Sequence, residues 1–167
     1  MVDRLSKERR SWNMGRIRSE NTKPERIIRS QLHRLGYRFR LYGKISKRIY
    51  PKGVLPGRPD IVLPKYRTVI FVHGCFWHRH IGCSKTTTPK TRTDWWLNKF
   101  RVNMERDKRQ YIELTQLGWK VLIVWGCETG ANHIKDTMDK LQDEIQTGRC
   151  RVGNFLLPTL QNTKVMN

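Results

Sequence analysis

Between Pro56 and Cys83 the chain gathers Asp60, His73, Cys75, His78, His80 and Cys83, with Phe76 and Trp77 set among them. Cys75, His80 and Cys83 follow a Cys-x4-His-x2-Cys spacing, which is half of a zinc site. Cys127 would complete a tetrahedral set from further along the chain. A site closed by three thiolates and an imidazole leaves no position for water, so its role would be structural. Spacing alone leaves His78 and His80 as alternative ligands, and buried thiols as the alternative to a metal. Cys150 has no place in this pattern.

Asp60, His73, His78 and Asp107 form a second constellation. Asp60 sits against Ile61-Val62-Leu63, where an unpartnered carboxylate is costly. A bound cation would relieve that cost, and so would a turn cap after Pro59. Carboxylate and backbone oxygens suit Mg²⁺, which binds few protein ligands and keeps its waters. One histidine would then take a proton from an attacking water, and a second would stabilise or protonate a leaving oxygen. The alternative places these histidines in the zinc site or the core. Phe76 and Trp77 are suited to stacking on bases, or else to packing beneath the metal loop.

The composition agrees with a polyanionic partner. Lys and Arg number 34 against 14 acids, a formal charge of +20 spread along 167 residues. Neutralising phosphates releases counterions, so such a surface favours nucleic acid. The alternative is a ribosome-type basic protein. The length suits one domain with a real core. No apolar run has transmembrane length, and the N-terminal stretch is polar and charged, which implies an intracellular protein. Four cysteines in a reducing compartment read as metal ligands or buried thiols rather than disulfides.

Several elements must position these groups. Residues 1–21 form a basic arm or short helix that orders on a partner; its apolar tips, Trp12 and Met14, could wedge a base step, or Trp12 could pack on the domain edge. Thr22-Lys-Pro-Glu25 is a capping box, and Ile27, Ile28, Leu32 and Leu35 mark one face of the helix that Gly36 ends. This gives Glu25 a sufficient structural role. Tyr37 to Tyr42 alternates as a strand, and Gly43 to Gly53 is a basic surface loop suited to a phosphate backbone or simply solvated. Pro59–Leu63 and Arg67–Val72 read as central strands joined at Pro64-Lys-Tyr66.

Thr91-Arg-Thr-Asp94 predicts a second capped helix, reaching Leu117. Its inward stripe reads Trp96, Phe100, Asn103 or Met104, Asp107, Tyr111, Leu114. Asp107 on that stripe requires a partner, either an active-site histidine or arginine or else a structural salt bridge; Glu105, Arg106 and Lys108 read as solvated. Trp119 to Trp125 is a strand, and Ile134, Met138, Leu141 and Ile145 mark a last helix stopped by Gly148. The order predicts an α/β sheet with helices on its faces, a single domain over 22–148 and a tail over 149–167.

Leu55-Pro-Gly-Arg-Pro-Asp60, Phe71-Val-His-Gly-Cys-Phe-Trp-His78, Thr91-Arg-Thr, Asn103-Met-Glu-Arg-Asp107 and Leu117-Gly-Trp-Lys-Val-Leu-Ile-Val-Trp-Gly-Cys127 resemble the very short patch repair (Vsr) endonucleases, in order, from Asn13 to Cys127. The resemblance implies a restriction-endonuclease-like core: a central mixed sheet flanked by helices, with a structural zinc loop. It implies a strand-specific nick beside a thymine mispaired with guanine, as left by deamination of 5-methylcytosine. By position, Asp60 and the backbone carbonyl of Val72 would hold Mg²⁺, and Glu25 would lie near the metal's waters. His78 would be the general base, with His73 and Asp107 a pair at the phosphate and leaving group. Cys75, His80, Cys83 and Cys127 would hold Zn²⁺. Phe76, Trp77 and Trp96 would form the aromatic wedge, and Met14 would contact the opposite groove.

The implied setting is a bacterial, cytoplasmic, nucleoid-associated monomer on duplex DNA with a T·G mismatch, working with other mismatch-repair proteins. The chain departs from the family in Val72 where threonine is common, in Arg79 for a histidine, in one extra residue between His80 and Cys83, and in a longer, more basic loop over 43–53. Two other readings are a restriction-type nuclease cutting unmispaired DNA and a non-catalytic, zinc-stabilised DNA-binding module.

Overall fold

The structure, a computed structural model, describes residues 6–16 and 19–147. The expectations for Gly148, Cys150 and the tail lie outside them. Among the described residues four strands form one sheet in the order β1 (Arg40–Leu41), β2 (Ile61–Leu63), β3 (Thr68–His73) and β4 (Lys120–Trp125). β1–β2 and β2–β3 are antiparallel and β3–β4 is parallel, so the sheet is mixed. The α/β class is as the sequence predicts.

Side-chain alternation on these strands divides the core. Ile61, Leu63, Ile70, Leu122 and Val124 face one side, and meet Ile28 and Leu32 of α2 (Lys23–Arg34) and Met138, Leu141 and Ile145 of α5 (Ile134–Thr147). Val62, Val69, Phe71, Val121 and Ile123 face the other, and meet Tyr111 and Leu114 of α4 (Thr93–Gln116) with Ile45, Leu55 and Trp119. Both faces are covered, which is why β2 and β3 read as nearly continuous apolar runs. The remaining helices are α1 (Lys7–Gly15) and the single turn α3 (Cys75–His78).

The cap at Thr22 forms as the spacing predicts: Thr22 caps α2, Glu25 returns the bond and Pro24 sits in the first turn. Several local expectations are corrected. Leu35 is 44% exposed because it caps the C-terminus of α2, and Gly36 (φ 82) then turns the chain away. Ile27 is half-buried on the flank of the face. The strand expected over 37–42 shrinks to Arg40–Leu41, since the Tyr37 N–H still closes the helix end by donating to the Leu32 carbonyl at 3.0 Å. Thr91 does not cap α4: Arg92 takes that position in a left-handed conformation without a side-chain cap, and the Thr93 hydroxyl donates back to the Lys90 carbonyl at 3.1 Å. Trp12 is 46% exposed, covered by the guanidinium groups of Arg9 and Arg16 at 4.4 and 3.8 Å. The side chain of Met14 is outside the described residues.

Candidate active site

β3 runs past the end of β2, and the site is built on that overhang. The register pairs Ile61 with Ile70, so Val72 and His73 have no β2 residue across from them. The Val72 N–H donates instead to Asp60 Oδ2 at 2.7 Å. In a strand the N–H and C=O of one residue point to the same side. The Val72 carbonyl is therefore directed toward the Asp60 side of the sheet.

The turn before Asp60 holds it there. Gly57 has φ 69, and a Cβ on it would come within 2.7 Å of Gln110 Oε1 on α4. Arg58 follows in a left-handed conformation (φ 50) that a non-glycine residue adopts only at a cost. Asp60 lines a cleft of about 760 Å³ with Glu25, Val72, His73, Trp77, His78 and Asp107. Burial pushes its carboxyl up to about 6, the nearby Glu25 adding to the effect and the Val72 N–H opposing it.

Glu25 is buried and fully engaged. Oε1 accepts from the Thr22 N–H at 3.2 Å and the Thr22 hydroxyl at 2.7 Å. Oε2 accepts from the Asn21 N–H at 3.0 Å and from Arg29 at 3.0 Å. The capping role and a place beside Asp60 thus coexist.

α3 and α4 bring in the remaining groups. His78 Nδ1 lies 2.5 Å from Asp107 Oδ2, and Asp107 Oδ1 accepts from Arg106 at 2.9 Å. Burial opposes ionisation of Asp107, but the His78 hydrogen bond and the charges around it outweigh that, and its carboxyl is held below the usual range. The His73 and His78 rings stack at 3.7 Å, 7° from parallel. His73 Nε2 meets the Tyr111 hydroxyl. Burial, then His78, holds the His73 imidazole well below its usual range, so it is neutral. Burial pushes the Tyr111 phenol up and keeps it protonated, and its hydroxyl shares a hydrogen bond with His73 Nε2. His73, His78 and Asp107 offer ligand-type atoms within 4.8 Å of one another. The direct hydrogen bonds give Asp107 the histidine and the arginine that its inward position calls for, His78 and Arg106, and His73, which the resemblance groups with Asp107, stacks on His78.

In the thiol loop it is His80, not His78, that lies among the cysteines. Cys75, His80, Cys83 and Cys127 place their ligand atoms within 4.8 Å, and His80 Nδ1 lies 3.3 Å from Cys127 Sγ. Tetrahedral zinc spaces its sulfurs by about 3.8 Å. Burial and the neighbouring thiols push Cys127 up to about 12, a cost that a cation among them removes. His80 is fixed from behind by stacking on Trp125 at 4.3 Å.

Phe76, Trp77 and Trp96 are half-buried and interlocked, Phe76 meeting Trp77 at 5.1 Å and Trp96 at 5.4 Å. They do not simply pack under the loop: Phe100 below them is buried, and Trp95, 48% exposed, extends the ridge outward.

One fold thus presents a carboxylate, an imidazole pair backed by an aspartate, and an aromatic ridge beside a thiol-rich loop. Residues 2–85 match the family described as DNA mismatch endonuclease Vsr. The chain belongs to the Vsr family. It is 51% identical over 128 residues to the type II nicking enzyme V.XorIIP of Xanthomonas oryzae pv. oryzae, covering 77% of this chain and 87% of that protein. It is 42% identical over 149 residues to the DNA mismatch endonuclease Vsr of Escherichia coli, covering 89% of this chain and 85% of that protein. It is also 42% identical over 147 residues to the type II nicking enzyme V.NmeAIP of Neisseria meningitidis, covering 87% and 98%. The chain is a DNA endonuclease, and its mixed sheet is the restriction-endonuclease-like core. No helix among the described residues is long and apolar enough to cross a membrane.

Three residues of this Vsr site escape a reading by spacing. Arg106 reads as solvated but binds Asp107. Tyr111 reads as core and also anchors His73. Asn103 donates from Nδ2 to the Trp77 carbonyl at 3.2 Å, fixing the aromatic ridge to α4. The only signal for all three is a polar group at, or beside, an inward position of a long helix.

Proposed function

We propose that this endonuclease hydrolyses the phosphodiester beside the thymine of a T·G mismatch, in one strand of duplex DNA, with Mg²⁺ bound at Asp60 and the Val72 carbonyl. The observation that carries this reading is the convergence of Asp60 and the His78–Asp107 pair on one cleft, with Trp77 at its wall. The chain's own residues fit the ion. Asp60 is half-buried with a carboxyl pushed up to about 6, and the Val72 carbonyl beside it is directed to the same side. When bound, Mg²⁺ supplies charge neutralisation at the phosphate and a water of lowered pKa.

The protein groups divide the proton work. Asp107 fixes a proton on His78 Nδ1 and leaves Nε2 to accept one from the attacking water. The charge that develops on His78 is stabilised by Asp107, itself held ionised. His73 is kept neutral, and stacked on His78 it is available to the leaving oxygen. Phe76, Trp77 and Trp96 enter the base stack, which is cheaper at a mispaired step than at a paired one. Cys75, His80, Cys83 and Cys127 would hold Zn²⁺, and a metal shared by these four would tie α3 to the turn after β4 and so fix His78.

The test uses two duplexes identical except for one T·G or T·A pair, with and without Mg²⁺. A Mg²⁺-dependent nick in the thymine strand of the T·G duplex alone is the expected result. Equal cutting of both duplexes would refute mismatch recognition and favour a restriction-type activity.

A further inference from the structure

Residues 43–58 carry Lys44, Lys47, Arg48, Lys52 and Arg58, and no Asp or Glu. The catalytic cluster uses none of these charges. The segment is an ordered hairpin rather than a free loop. Lys44 and Val54 form an antiparallel bridge, the Ile45 N–H donates to the Gly53 carbonyl at 3.0 Å, and the Leu55 N–H to the Gly43 carbonyl at 2.9 Å. Its tip closes through the Ile49 and Tyr50 N–H groups on the Ser46 carbonyl, at 2.9 and 3.1 Å. Ile45 and Leu55 are buried in the core on the α4 face, and Tyr50 packs against it. At its base Gly43 has φ 68, and a Cβ there would lie 2.9 Å from Arg58 Cα.

The hairpin leaves and rejoins the fold at the cleft: Tyr42, Gly57 and Arg58 line the same cleft as Asp60. Lys44, Lys47, Arg48 and Lys52 are exposed, and among the described residues none of them pairs with a carboxylate. Four like charges on a rigid platform repel one another, the more so in a chain of charge +20. A merely solubilising loop has no need of three apolar anchors that fix it beside the cleft. A regular polyanion lying across the cleft does need a fixed row of cations.

We infer that the hairpin over 43–58 is a second duplex-binding surface, which holds the phosphates of DNA flanking the nicked site. The inference rests on the DNA-cleaving reading above. The hairpin supplies affinity and register, not base readout, because phosphate contacts carry no sequence information directly.

The experiment replaces Lys44, Lys47, Arg48 and Lys52 together by Gln. Kd for a labelled T·G duplex is measured by anisotropy from 50 to 200 mM NaCl. Removing one phosphate-neutralising cation lowers the slope of log Kd against log salt by about 0.9, so a fall of roughly 2–4 is expected. Single-turnover nicking at saturating duplex should stay at the wild-type rate, since no replaced residue lines the cleft. An unchanged slope overturns the inference, and so does a loss of the saturated rate, which would make the hairpin a support for the cleft. If the fourfold variant melts below wild type, the Lys47→Gln, Arg48→Gln pair takes its place, with an expected fall of about 1.8. Failure of the wild type to nick would defeat the mismatch reading and leave the slope comparison intact.

Discussion

Asp60→Asn should make the protein more stable while abolishing its activity. Asn keeps an oxygen to accept the Val72 N–H, now at 2.7 Å, and removes the charge that burial disfavours. The folded-state carboxyl is raised from 3.8 to about 6. A raised carboxyl favours the fold fully below pH 3.8, and the contribution is lost as pH rises through 6. At pH 7.5 an ionised Asp60 therefore costs the Mg²⁺-free fold up to about 3 kcal/mol, at 1.36 kcal/mol per pH unit. The Asn amide also pays some desolvation, which leaves a gain of about 1–3 kcal/mol. For a domain of this size each kcal/mol moves Tm by roughly 2–4 °C. Thermal melts of both proteins should be recorded at pH 7.5 and pH 4, without Mg²⁺ and with the zinc content of the two proteins matched at each pH. The variant should melt several degrees higher at pH 7.5 and lose that margin at pH 4. Adding Mg²⁺ should raise the wild-type Tm and leave the variant unmoved. A variant that melts lower than wild type at pH 7.5 refutes the idea that Asp60 is a strained, cation-seeking carboxylate.

Three further outcomes follow from the same geometry. Asp107→Asn keeps the shape but loses the charge behind His78, so single-turnover nicking should fall by about 10²–10⁴ with DNA affinity retained; a fall below tenfold would remove the His78–Asp107 pair from the chemistry. Cys127→Ser should reduce bound zinc, measured by atomic absorption, and lower Tm; full zinc content would take Cys127 out of the site. Tyr111→Phe leaves His73 Nε2 without that hydroxyl, costing about 1–3 kcal/mol and altering the pH profile of nicking. An unaltered profile with a lowered Tm would leave Tyr111 a core residue only.

The local sequence determined much of this protein. The capping box at Thr22 formed because its groups lie three residues apart and need no distant partner. The apolar runs of β2, β3 and β4 declared a sheet covered on both faces, because each strand had to bury every side chain in its centre. The inward stripe of α4 exposed Asp107 as an acid in the wrong solvent. Tertiary structure alone decided which groups meet. His78 and His80 are two residues apart and equivalent by spacing, yet the single turn of α3 sends one to Asp107 and the other to Cys127. Tyr111 and Arg106 acquire their roles only because α4 lies against β3 and α3. The basic stretch after Tyr42 gave no sign of being fixed, since its anchors, Ile45 and Leu55, are bound to a core assembled from strands and a helix far along the chain. Spacing reports what a short segment must do to satisfy its own hydrogen bonds and apolar faces. Which charges share a cleft depends on contacts between residues tens of positions apart, and only the packed sheet supplies those.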